Sequence, residues 1–173
     1  MREMLSMPSI KKVLTAPAAR PAEGAFRQLI HTLGLLERVM HPYFAQFGIS
    51  GSQWGVLRTL HRAEGDDVPG LRLTDLSDRL LIRPPSVTGV VDRLERAGLV
   101  VRDGSRTDLR AKQVALTPKG RQLVERVLAI HGKQMEAVLG GLSRDEQLHF
   151  HRLLAQLGHH LEGLLARGAA DIG

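Results

Sequence analysis

In the stretch Pro84–Ala97, apolar residues recur at helical spacing between residues suited to start and to stop a helix. Val87, Val90, Val91 and Leu94 fall at i, i+3, i+4 and i+7, one face of a 3.6-residue helix. Pro84 and Pro85 suit a first turn, whose backbone N–H groups have no intrahelical partner. Gly98 follows as a stop, because glycine takes the left-handed conformation without steric cost. A helix that hides its valines shows Pro85, Ser86, Thr88, Gly89, Asp92, Arg93 and Arg96. Small and hydroxylic groups near the start, with arginines further along, suit a helix that enters a major groove N-terminus first. The Thr88 methyl would then face bases, Ser86 would meet a base or a phosphate or else help cap the helix, and Arg93 and Arg96 would rest on phosphates. Arg96 also has Asp92 four residues before it as an ion-pair partner.

The flanking segments complete a unit. Thr74–Leu81 reads as a short preceding helix. Leu99–Arg102 and Lys112–Leu116 read as two strands, the first apolar and the second alternating. Asp103-Gly104-Ser105 is turn chemistry between them. Leu71 is expected to form a single β-bridge with this hairpin. Arg102, Arg106, Arg110 and Lys112 crowd the hairpin, diluted by Asp103 and Asp108. The order is helix-turn-helix plus wing, and a basic wing can reach a narrow minor groove next to the one the helix reads. From Arg79 to Arg121 there are ten Lys/Arg against four Asp/Glu, a local excess of +6. The whole chain, with 24 against 18, also carries +6, so the rest of it is neutral. A basic excess held in one segment marks a polyanion-binding face.

This segment resembles the MarR family of bacterial transcription regulators. The resemblance is carried by Ser86–Leu94, then Gly98-Leu99-Val100, then Asp108-x-Arg110, then Leu116-Thr117-x-x-Gly120. In element order it extends from about residue 23 to about residue 167. It implies that Arg110, then Arg106, are the leading wing contacts to DNA. Asp108 would shape the wing by holding Arg110 or a backbone amide, since a carboxylate repels phosphate. The family usually places a basic residue between this Asp and Arg. Here the residue is Leu109, so the hairpin tip has one cation fewer.

The fold class expected is mainly α with a small β wing: a winged helix-turn-helix lobe plus a helical dimerisation region. Residues 1–22, with Arg2, Lys11, Lys12 and Arg20 against Glu3, read as a flexible basic arm. Residues 23–50 read as an N-terminal dimerisation helix, and the pattern Phe26 to Phe47 continues through Pro42, which should kink or break it near His41. Residues 51–120 form the DNA-binding lobe. Its first helix is announced by the capping-box pair Ser50 and Gln53, and its inner face carries Trp54, Leu57, Leu60 and His61. Residues 117–167 form two C-terminal helices. The first is opened by Thr117-Pro118, and the second by the pair Ser143 and Glu146. Residues 168–173 are a tail. Phe150, Leu153, Leu154, Leu157, Leu161, Leu164 and Leu165 make an apolar stripe that needs another surface, and a second copy of the chain is the natural one. A homodimer of this kind reads a pseudo-palindromic site on double-stranded DNA.

Other readings are constrained by composition. Cysteine is absent, which removes disulfides, thiolate metal sites and thiol-oxidation sensing. No apolar run reaches membrane-spanning length, so no membrane partner is expected and a cytoplasmic setting fits. No nucleophile–base–orienter set or glycine-rich phosphate loop appears, so the chain reads as a non-enzyme with no cofactor. His149-x-His151 and His159-His160 lack the i, i+4 spacing of a helical metal clamp, and no metal site is assigned. A metal-responsive regulator built on this cluster is one alternative. An architectural DNA-coating protein is the other. The resemblance implies a small aromatic or anionic effector, with His31, His41, Trp54 and Arg58 as pocket candidates, although Trp54 also reads as ordinary core.

Overall fold

The computed structural model describes residues 20–103 and 113–168. Residues 1–19 of the N-terminal arm, the wing tip with Arg106, Asp108, Leu109, Arg110 and Lys112, and the end of the tail lie outside the described residues, while Pro21 and Ala22, read as part of the arm, belong to the first helix. The elements are α1 (Pro21–Ala45), α2 (Gly51–Gly65), β1 (Leu71–Arg72), α3 (Leu73–Leu80), α4 (Pro84–Arg96), β2 (Val100–Asp103), β3 (Gln113–Leu116), α5 (Pro118–Leu139) and α6 (Arg144–Arg167). The chain divides into two compact units, residues 1–43 and 44–173.

In the first unit, α1 exposes Phe26, Ile30, Leu33, Leu36 and Val39, while Met40 and Tyr43 are buried. Pro42 does not break this helix, which runs on to Ala45. Its last turn contains Pro42, so a single turn follows the missing N–H, and the cost of the gap is confined to a helix end.

The second unit holds the aliphatic core. Leu57 and Leu60 of α2, Leu76 of α3, Val87, Val91 and Leu94 of α4, Val114 of β3, and Val124 and Val127 of α5 are all at most 1% exposed. Helix α2 packs against α3, α4, α5 and β3, which places it at the centre of this core. Its start is fixed by a reciprocal cap. Ser50 Oγ accepts from the Gln53 N–H at 3.2 Å, and Gln53 Oε1 accepts from the Ser50 N–H at 2.8 Å. Its far end is tied to α5 by a bidentate contact, in which Arg121 Nε and Nη2 donate to Glu64 at 3.0 and 2.8 Å.

The sheet has the order β1-β3-β2 and is antiparallel throughout. Leu71 pairs with Val114 and Val100 pairs with Leu116. The bridge expected at Leu71 is therefore present and extends to Arg72. Helix α6 opens on the Ser143–Glu146 capping box and buries none of its residues. Leu148, Phe150, Leu153, Leu154, Leu157, Leu161 and Leu165 are all exposed on it.

Candidate nucleic-acid interface

Helix α4 is inserted into the unit by its valines, and its orientation follows from them. Val87, Val90, Val91 and Leu94 are buried, so the intervening residues are turned outward. Pro85, Ser86, Arg93 and Arg96 are exposed, and Thr88 and Gly89 are half-buried. These are the six α4 residues expected from the sequence to face DNA. The N-cap, Arg83, makes no side-chain cap bond, and the helix start leaves little to cap: Pro84 and Pro85 carry no N–H, and the Ser86 and Val87 N–H groups donate to the Arg83 carbonyl at 3.0 and 3.3 Å. Thr88 donates its hydroxyl to the Pro84 carbonyl at 3.1 Å, which leaves its oxygen as an acceptor. A Cβ placed on Gly89 would meet Arg93 Nη1 at 3.8 Å, so the Arg93 guanidinium lies back over the N-terminal half of the helix.

The C-terminal end of α4 is built into the wing. Gly98 adopts φ +69°, and the chain reverses there into β2. Lys119 Nζ donates to the Ala97 carbonyl at 2.8 Å, covering a carbonyl that the helix leaves open. Thr117 donates Oγ1 to the Gly98 carbonyl at 2.8 Å and accepts from the Gly120 N–H at 3.0 Å. One side chain thus caps α5 and ties it to the turn that follows α4.

Charge on this face is partly spent internally. Arg102 on β2 forms ion pairs with both Asp92 and Glu95 of α4. Its backbone N–H also donates to Glu95 Oε1 at 3.3 Å. Partial burial works against the guanidinium charge, but hydrogen bonding and proximity to the two carboxylates outweigh it and hold Arg102 above its ordinary value. Arg102, one of the cations that crowd the hairpin, has a side chain only 20% exposed and committed to α4. One alternative read from the sequence is corrected here. The Asp92 carboxylate pairs with Arg102 and not with Arg96, whose Nε donates at 3.3 Å to the backbone carbonyl of Asp92.

The effector candidates differ in burial. His31 and His41 are exposed on α1. Trp54 is buried on α2, with its ring 6.0 Å from Phe44 and 5.4 Å from His131. Arg58 is half-buried, with Nη1 3.4 Å from His61 Nδ1. Burial, then the nearby charge of Arg58, hold the His131 imidazole below its ordinary value. Trp54, Arg58, His61 and His131 therefore share one neighbourhood of α2 and α5. His131 was not among the effector candidates read from sequence. Its signal was its place in the apolar pattern of α5, beside Val124, Val127 and Leu128. Among the described residues no carboxylate pairs with Arg58, and no three His, Asp or Glu side chains stand together as a metal site.

Residues 47–111 match the MarR family model. The transcriptional regulator FarR of Neisseria gonorrhoeae is 34% identical over 129 residues, covering 75% of this chain and 85% of that protein. The chain belongs to the MarR family. It is a DNA-binding transcription regulator of MarR type with a winged helix-turn-helix fold. Among solved structures, this MarR protein matches NadR in complex with 4-hydroxyphenylacetate, with TM-score 0.66, 31% identity, and 81% and 98% of the two chains covered. The MepR–DNA complex of S. aureus matches with TM-score 0.63 and 26% identity, over 80% of this chain and 95% of that one. No helix among the described residues is long and apolar enough to cross a membrane.

Proposed function

We propose that this protein is a cytoplasmic homodimeric repressor that occupies a pseudo-palindromic operator and leaves it when a small aromatic or anionic ligand binds. Helix α4 lies in the major groove with Pro85, Ser86, Thr88 and Gly89 against the bases and Arg93 and Arg96 along the backbone. Arg106, Arg110 and Lys112 press the wing against the neighbouring minor groove, with Asp108 shaping it. The observation that carries this reading is the outward face of α4, where Ser86 and Arg93 stand exposed above a fully buried row of valines. The relative MepR, crystallised with DNA, supports it.

The dimer is supported by the apolar stripes of α1 and α6. Leu153, Leu157 and Leu161 are 50%, 40% and 48% exposed on one helix, an apolar surface that isolated subunits rarely leave in water. Two copies joined through these helices would set their recognition helices on half-sites about one helical turn apart, ~34–36 Å. The effector reading is supported by Arg58, whose charge no carboxylate answers among the described residues, next to the Trp54 and His131 rings. NadR, bound to an aromatic carboxylate, is a relative of the same build. The test is selection of bound duplexes from a random pool, followed by footprinting and sedimentation. Recovery of an inverted repeat bound by a dimer is expected. Uniform low-affinity coating, or a monomer on a single half-site, overturns the proposal.

A further inference from the structure

Helix α4 carries two carboxylates, Asp92 and Glu95, on the element that must approach a polyanion. Their side chains are 48% and 38% exposed. Both are engaged by Arg102, and Glu95 also accepts from the Arg102 backbone N–H. Arg102 stands on β2 one residue before Asp103, where that strand ends and the wing begins. Its side chain reaches back across seven and ten positions of sequence to the recognition helix. We propose that Arg102 is a positioning residue for DNA binding. It clamps the root of the wing to α4 and cancels carboxylate charge that would otherwise face phosphate, without itself touching DNA.

The geometry separates this role from a phosphate contact. The Arg102 guanidinium commits one terminal nitrogen to each of two carboxylates, and moving it to a phosphate would strand two negative charges beside the duplex. The fork suits this pair, because a planar guanidinium holds one terminal nitrogen toward each carboxylate in a fixed geometry that a lysine ammonium does not reproduce. Losing it frees the wing root and exposes two negative charges, and both effects weaken DNA binding. Neither removes a counterion-releasing contact.

This inference rests on the DNA-binding reading above. The experiment measures affinity against salt concentration for the full-length protein on its selected duplex, with Arg102→Met, Arg102→Lys and the triple variant Asp92→Asn/Glu95→Gln/Arg102→Met. Thermal unfolding confirms that each variant is folded. Arg102→Met should lose affinity roughly tenfold, about the effect of 1.4 kcal/mol, with a salt slope no shallower than the parent's. The triple variant should recover part of that loss, and Arg102→Lys, which folds with its charge intact but lacks the fork, should fall between Arg102→Met and the parent. A slope shallower by ~0.9 would identify Arg102 as a phosphate contact and overturn the proposal. So would parent-like affinity in Arg102→Lys, or a triple variant no tighter than Arg102→Met. A parent protein that binds no duplex refutes the interface reading instead.

Discussion

The carbonyl oxygen of Leu99 occupies the place where any side chain at Gly120 would begin. A Cβ built on Gly120 overlaps that oxygen and comes within 3.1 Å of the Leu99 carbonyl carbon. The contact presses the first turn of α5 onto the turn that links α4 to β2. The obstacle is backbone, so it cannot rotate aside. Gly120→Ala should therefore destabilise the protein by about 1–3 kcal/mol, the range for overpacking a close contact. Urea unfolding at fixed protein concentration measures this. An unchanged midpoint would show that the two turns separate without cost.

Thr117 serves the same junction by hydrogen bonding. Its hydroxyl donates to Gly98 and accepts from Gly120, so one group satisfies a turn carbonyl and a helix-start amide. Thr117→Val keeps the shape and removes both bonds. A loss of roughly 1–2 kcal/mol is expected, the upper part of the range for an N-cap. Thr117→Ser should keep most of the stability. An unchanged stability in Thr117→Val would show that the two hydroxyl bonds contribute nothing, and a loss in Thr117→Ser as large as that in Thr117→Val would show that the methyl group matters as much as the hydroxyl.

These two residues show what the sequence made legible. Thr117-Pro118 announced a helix start, and Ser50–Gln53 and Ser143–Glu146 did the same, because capping is local and its partners lie within three residues. The buried row of α4 was equally open to reading, since 3.6-residue periodicity is written along the chain. The partner of Asp92 was not. Local spacing offers Arg96, and only the reversal at Gly98 brings Arg102 of the next strand within reach. Nor was the ring contact of Trp54 with His131, on helices far apart in sequence. Of the kink or break expected at Pro42, the break does not occur, for a related reason. A proline rule gives the cost of a missing N–H but not how near the helix end it falls.

Leu81 is the strained residue of the helix-turn-helix. It adopts φ +53°, ψ +36° at the C-cap of α3 and is 85% exposed. A left-handed leucine costs about 1–2 kcal/mol relative to a residue at ease there. Because it buries almost nothing, replacement loses little packing. Leu81→Asn should raise stability by ~0.5–1 kcal/mol, since asparagine enters this conformation more readily. Thermal unfolding checks the sign. A drop would show that the leucine side chain contributes packing that outweighs its backbone strain.

His131 should make stability fall in acid. Its folded value lies below the ordinary one, because burial and then Arg58 oppose the imidazolium. The unfolded chain therefore binds this proton more readily, and stability rises with pH where the two states differ in protonation. The stability linked to His131 is full above its unfolded value, ~6.5, and declines as pH falls below it toward the folded value. Unfolding free energies measured downward from pH 7 should show this loss, and His131→Gln should flatten it. An unaltered profile in the variant would assign the acid sensitivity to other groups.

Gly89 separates stability from binding. Glycine inside a helix costs roughly 0.5–1 kcal/mol relative to alanine. A Cβ there meets only Arg93 Nη1, at ordinary contact distance, so the folded protein has room for it. Gly89→Ala should therefore stabilise the free protein by up to about that amount. On the proposed interface the same position approaches the bases, where an added methyl group would hold the helix away from the groove floor and shift Arg93. Operator affinity should then fall, while affinity for a mixed-sequence duplex, governed by phosphate contacts, changes less. Unfolding and duplex-binding measurements on one preparation would test both halves. A more stable variant with undiminished operator affinity would remove Gly89 from the base-reading face.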